Sequence, residues 1–131
     1  MNQRGFATLE VILMIVVIGI LATVAVPRFT DVTTKANTAK IQSDLTTIDS
    51  AIQIYYMEKG DYPERIDTDL KDYLMDIPTP PTGKAYAKDS NTATTSTELK
   101  ITEKAYSINE DHRAILHSHV AGDFEMPKSS S

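Results

Sequence analysis

Residues 6–26 read FATLEVILMIVVIGILATVAV, and Pro27 follows. This stretch of 21 residues carries one charge, Glu10. As a helix it would reach about 31 Å at 1.5 Å per residue, which matches a bilayer core of about 30 Å. Outside it, Arg4 lies just before the stretch and 29 of the 31 charged side chains lie after it. The chain of 131 residues, with 41% hydrophobic and 24% charged residues, therefore averages to a soluble composition while being split in two. A uniform soluble globule is excluded. So is a multi-span membrane protein, because no second apolar run approaches 18 residues. An Arg in a short leading segment favours a cytoplasmic N-terminus, with the polar body on the far side; Arg28 opposes this weakly.

Bulk composition excludes further classes. The absence of cysteine removes disulfides, thiolate chemistry and Cys-based zinc sites. Net charge is −5 and the Lys and Arg residues are scattered singly, so no nucleic-acid footprint is expected. No P-loop, Gly-rich dinucleotide turn or nucleophile–base pair is present, so neither an enzyme nor a cofactor is expected.

The apolar stretch has three readings. A cleaved secretory signal needs a small-x-small site, and Thr23-Val24-Ala25 is a poor one. A plain membrane anchor satisfies the length. The third reading turns on Glu10, since a carboxylate inside an apolar helix costs roughly 2.5–3.5 kcal/mol in lipid. So close to the helix end it could snorkel to the head groups. No basic residue lies at helical spacing within the run, so a partner would come from another copy of the chain.

Arg4-Gly5 followed by Phe6-Ala7-Thr8-Leu9-Glu10, an apolar run with Gly19, and then Pro27 resembles the class III signal of type IV pilins and type II secretion pseudopilins. Ala7 and Thr8-Leu9 depart slightly from the commoner residues. The resemblance implies cleavage by a prepilin peptidase after Gly5 and methylation of the new N-terminus at Phe6. It implies assembly through Phe6, Glu10, Gly19 and Pro27 into a helical homo-oligomer, driven by an inner-membrane platform. Residues 20–26, between Gly19 and Pro27, would melt as subunits pack. The chain would lie in a bacterial inner membrane before assembly and in a periplasmic or extracellular filament afterwards. Pilus formation, type II secretion and competence are the functions within the class. A singly anchored or secreted binding domain is the alternative outside it.

Beyond Pro27, which should kink or interrupt a helix, the pattern becomes amphipathic. Ile41, Leu45, Ile48, Ile52 and Tyr55 follow i, i+4, i+7, i+11 and i+14, one helical stripe, with Ala36 and Ala39 extending it upstream. Lys59-Gly60 reads as the helix end and Gly60-Asp61-Tyr62-Pro63 as the closing turn. A helix over 7–59 would run about 80 Å, too long to bury both halves in so small a body, which favours a polymer subunit. The expected organisation is a leader at 1–5, an apolar helix at 6–27, an amphipathic helix at 28–60 and a globular α+β region at 61–131.

Within that last region, Ile66, Leu70, Tyr73 and Leu74 suggest a short helix, and 76–83 a Pro-rich loop. Residues 89–97 read as an exposed Ser/Thr loop. Strands are expected at 84–87, 98–102, 104–108 and 113–119, with 109–112 as the last turn, giving one three- or four-stranded antiparallel sheet on the helix. The six tyrosines read as core and turn packing. His117-x-His119 would put two imidazoles on one strand face, a weak candidate for a metal pair without a third ligand. The acidic run from Glu58 to Asp76 is interleaved with Lys59, Arg65 and Lys71 and reads as a solvated face. Gly122-Asp123-Phe124-Glu125 lacks the Asp/Gly-rich loop that pseudopilins use for calcium, so no metal is expected.

Overall fold

A computed structural model describes residues 3–89 and 95–128, and of 25–30 only the backbone course. The expected loop at 89–97 therefore lies partly outside the described residues, as do 129–131 of the tail. The chain divides into two units, Met1–Thr33 and Thr34–Ser131.

One helix, α1 (Gln3–Lys59), supplies the first unit and the spine of the second. It runs through Gly19 and Pro27 without the expected interruption. A proline removes one backbone hydrogen bond, but its fixed φ is itself helical, and long helix-forming runs flank it. Lys59 closes the last turn, and Gly60, at φ +77°, ends the helix with its N–H donated to the Tyr56 carbonyl at 2.8 Å.

In the second unit the apolar stripe of α1 is the core. Ile41, Leu45, Ile48 and Ile52 are fully buried, and Tyr55 is half-buried against them. The stripe does continue upstream, but not through alanine: Ala36 and Ala39 are exposed, and Thr34, Asn37 and Thr38 are buried instead. The helical phase selects those positions (Thr34, Thr38 and Ile41 are i, i+4, i+7), and the neighbouring backbone makes them polar.

That backbone belongs to β1 (Gly83–Lys88), which pairs antiparallel with β2 (Ser96–Ile101). Asn37 Nδ2 donates to the carbonyls of Thr82 and Lys84, both at 3.0 Å. Thr38 Oγ1 accepts the N–H of Tyr86 at 2.8 Å and donates to the Thr34 carbonyl at 2.7 Å. Side chains of α1 thus complete the edge of β1 that β2 leaves open. Gly83 enters β1 at φ +108°, a backbone conformation that L side chains rarely adopt.

A second pair, β3 (Ser107–Ile108) with β4 (Ala114–Ile115), is separate from the first. Two two-stranded sheets therefore replace the single expected sheet. The strands expected at 104–108 and 113–119 shrink to two residues each. The 109–112 turn is present, with His112 N–H donated to the Asn109 carbonyl at 3.0 Å. The short helix α2 (Ile66–Asp69) stops before Tyr73 and Leu74, which follow in turns hydrogen-bonded to the Leu70 carbonyl. Ile66, Leu70, Leu74, Ala85, Ala87, Tyr106, Ala114, Leu116 and Phe124 close over the α1 stripe. The result is the expected α+β arrangement, a long N-terminal helix packed on small antiparallel sheets.

Candidate assembly site

The first unit presents one helix, Gln3–Val24, long and apolar enough to cross a membrane. Thirteen large apolar side chains between Phe6 and Val24 are each at least 48% exposed. They occupy every face, so the helix cannot be satisfied by docking one side on a globular body. Fully burying a side chain of this size is worth roughly 1.5–3 kcal/mol, so the set carries on the order of 20–40 kcal/mol of unrealised stabilisation. That free energy is available only in lipid or among other apolar helices.

The polar groups along this helix divide in two. Thr8 Oγ1 donates to the Arg4 carbonyl at 2.9 Å, and Thr23 Oγ1 to the Ile20 carbonyl at 2.7 Å. Both hydroxyls are thereby satisfied within the helix. Glu10 is exposed, and among the described residues it has no hydrogen-bond or ion-pair partner. Gly5 and Phe6 lie one turn earlier on the same helix; Phe6 is 58% exposed, and open space surrounds Gly5 and Gly19. Pro27 lies within α1, where only the backbone is described.

The second unit carries polar contacts that composition did not reveal. Asp49 on α1 accepts from Arg113 through Nε (3.0 Å) and Nη2 (2.9 Å), and from the N–H of Ala114 at 2.7 Å. This contact with Asp49 holds the Arg113 guanidinium above its ordinary pKa. Asp44, one turn before Ile48, accepts from Tyr106 Oη at 2.7 Å and pairs with Lys40, which also donates to the Thr79 carbonyl at 2.9 Å. Burial, followed by this bond to Asp44, pushes the Tyr106 phenol far up. The Tyr73 phenol, donating to Glu58, is pushed up to about 12. The tyrosines are structural: Tyr55 and Tyr73 meet edge to face at 5.5 Å, and Tyr56, Tyr62 and His112 form a stack. The signal for Asp44 and Asp49 was present, since both flank the buried stripe rather than oppose it.

The two candidate histidines do not share a strand face. His117 (φ +50°) and Ser118 (φ +67°) form the tip of a tight turn closed by Leu116 and His119. His117 Nε2 accepts the N–H groups of Thr102 (3.0 Å) and Glu103 (3.3 Å), so that nitrogen is already used. His119 Nδ1 lies 3.7 Å from Asp123 and makes no hydrogen bond. No group of three potential ligands that could hold a metal occurs among the described residues. The His117 ring thus braces the start of the 102–103 backbone against this turn.

No protein-family model matches the chain, and no solved structure matches it. Curated relatives do. The type II secretion system core protein G of Klebsiella michiganensis is 33% identical over 88 residues, 67% of this chain and 61% of that protein. The protein of the same name from Escherichia coli is 34% identical over 89 residues, 67% of this chain and 60% of its own length. The type IV narrow pilus major component PilA5 of Thermus thermophilus is 38% identical over 63 residues, 48% of this chain and 54% of that protein. The chain thus spans about three fifths of the length of these two secretion relatives. With an apolar N-terminal helix, a carboxylate on it that has no partner among the described residues, and a small α+β body, the chain belongs to the type IV pilin and type II secretion pseudopilin family.

Proposed function

We propose that the chain is a structural subunit, not an enzyme, of a helical filament of the type IV pilus or type II secretion class. The observation that carries this is Glu10, a carboxylate with no partner among the described residues on a stretch, Gln3–Val24, that is apolar on every face. In lipid the subunit is stored at the cost of that carboxylate. A prepilin peptidase removes residues 1–5 after Gly5 and methylates Phe6, leaving a cationic amine at the start of the apolar run. An inner-membrane platform then moves the helix from lipid into a bundle of like helices. There the Phe6 amine of one subunit meets Glu10 of the next, and a desolvated pair replaces an isolated charge. The pair sets the axial register of each added subunit. Residues 20–26, between Gly19 and Pro27, loosen as the bundle packs. The filament serves secretion, or adhesion and motility at the surface.

The test combines two measurements on the same cells. Mass spectrometry of the mature chain should find an N-terminus at methylated Phe6. Glu10→Ala should still enter the membrane and be cleaved, but filament yield should fall at least tenfold. A mature chain starting at Met1 or Val26, or an undiminished filament yield from Glu10→Ala, would overturn the reading.

A further inference from the structure

Among the described residues, strand β2 is bonded on one side only. The contacts of β1 fix which of its backbone groups face outward. Tyr86 N–H is donated to Thr38, and the Lys84 carbonyl accepts from Asn37, so residues 84 and 86 turn their backbone groups towards α1. Their cross-strand partners are Lys100 and Glu98. These are the non-hydrogen-bonded pairs of the ladder, so the N–H and C=O groups of Glu98 and Lys100 point to the open side of β2. Among the described residues no backbone partner meets them. The open edge ends at Thr102, whose N–H is held by His117 Nε2.

The charges on this edge are arranged asymmetrically. Lys84 and Lys100 stand directly opposite each other in the ladder. Lys84 Nζ takes Glu98 Oε2 at 2.8 Å, and Lys100 has no ion-pair partner among the described residues. The edge therefore offers a carboxylate and an unmatched ammonium two residues apart, on the same face of the sheet.

We propose that this edge pairs, antiparallel and about a two-fold axis, with β2 of a second copy of the chain, centred on Leu99. That register sets Glu98 opposite Lys100 of the second copy, and Lys100 opposite its Glu98. Both are hydrogen-bonded positions, so the outward backbone groups meet in the parity the ladder requires. Leu99 meets Leu99 of the second copy in a non-hydrogen-bonded pair. Two-fold registers centred on Glu98 or Lys100 put like charges opposite each other, which is unfavourable. A register centred on Ile101 needs the N–H of Thr102, which His117 holds. The result is a continuous four-stranded sheet across two chains. A two-fold contact closes on itself and cannot propagate. It buries little area, so it is weak between free chains and avid where many copies are aligned. In a filament it therefore links assemblies side by side, a consequence that rests on the filament reading, whereas the pairing of two chains does not.

The experiment uses the full chain in membranes, which has no native cysteine to interfere. Non-hydrogen-bonded pairs place Cα atoms about 4.5 Å apart, within disulfide reach. Leu99→Cys under mild oxidation should give a disulfide-linked homodimer, with at least tenfold less from Glu98→Cys or Lys100→Cys. Co-expressed Thr97→Cys and Ile101→Cys chains should cross-link to each other, a check independent of Leu99. Adding Lys100→Glu should lower Leu99→Cys cross-linking at least tenfold, and adding Glu98→Lys to that variant should restore it. Equal cross-linking at all three positions, no homodimer from either arrangement, failure of the charge swap to restore it, or cross-links only to other proteins would overturn the proposal.

Discussion

The two ends of α1 share a helix and differ in what completes them. Between Gln3 and Val24, apolar side chains cover every face and none is buried. From Thr34 to Lys59 one apolar stripe is buried, with Ile41, Leu45, Ile48 and Ile52 fully so, while Ile54 and Met57 stay exposed on other faces. Polar groups repeat the contrast. Thr8 and Thr23 bond back to their own helix and Glu10 bonds to nothing described, while Asn37, Thr38, Asp44 and Asp49 each reach another element. The difference teaches that helix-forming sequence alone does not decide whether a helix is finished. One end is completed within its own chain, and the other leaves its apolar faces to lipid or to other apolar helices.

The sharpest way to break this contrast is a pair of substitutions. Glu10→Ala should abolish most filament formation and leave the melting temperature of the body unchanged. Leu45→Ala should do the reverse at first, destabilising the body by about 2–5 kcal/mol through lost burial and a residual cavity. Membrane insertion of Leu45→Ala should be normal. The contrast fails if Glu10→Ala lowers the thermal midpoint of the body by as much as Leu45→Ala.

A smaller effect is expected at Asp49, where the two partners carry unequal weight. Arg113 is about half exposed (48%), so its ion pair with Asp49 is largely screened. Ala114 is fully buried, and its N–H would lose its acceptor. Asp49→Ala should therefore cost about 1–3 kcal/mol, mostly from that N–H. Asp49→Asn keeps an oxygen for Ala114 and should cost less than half as much. Denaturant midpoints of the two variants measure the difference, and equal losses would assign the contact to the ion pair instead.

The parts of this fold legible in the sequence are those governed by periodicity. The stripe from Ile41 to Ile52 was readable because burial on one helical face is a local rule. The membrane-length run and its lone carboxylate were readable from composition instead, since an unbroken apolar run of that length is seen without any periodicity. The upstream end of the stripe was not, because Thr34 and Thr38 are buried by the edge of a strand about 50 residues away. The final strand was read too long because the turn at His117-Ser118 lacks glycine or asparagine. Holding those two residues at positive φ costs roughly 1–2 kcal/mol each, offset by the backbone donors that meet the His117 ring. Phe124 is fully buried beyond a 3₁₀ turn at Ala121–Asp123, a placement that no local pattern announces.

The smallest expected effect separates the two regions by acid. Asp69 Oδ2 accepts the N–H groups of Glu64 (2.9 Å) and Arg65 (3.0 Å), ordering the turn that enters α2. The backbone bond from Arg65, followed by that from Glu64, holds its carboxyl below the ordinary value of 3.8. A pKa lower in the folded than in the unfolded chain stabilises the fold above the unfolded value. That contribution is lost as pH falls through the carboxylate range towards the folded value. At neutral pH, Asp69→Asn should therefore lower the midpoint for unfolding of the body slightly. The gap should narrow as pH drops below the ordinary carboxylate range, where wild type loses the same interaction. Insertion of the Gln3–Val24 helix should not differ between the two chains at either pH. A midpoint gap that stays constant from neutral to strongly acidic pH would show that Asp69 acts through packing and not as a charged acceptor.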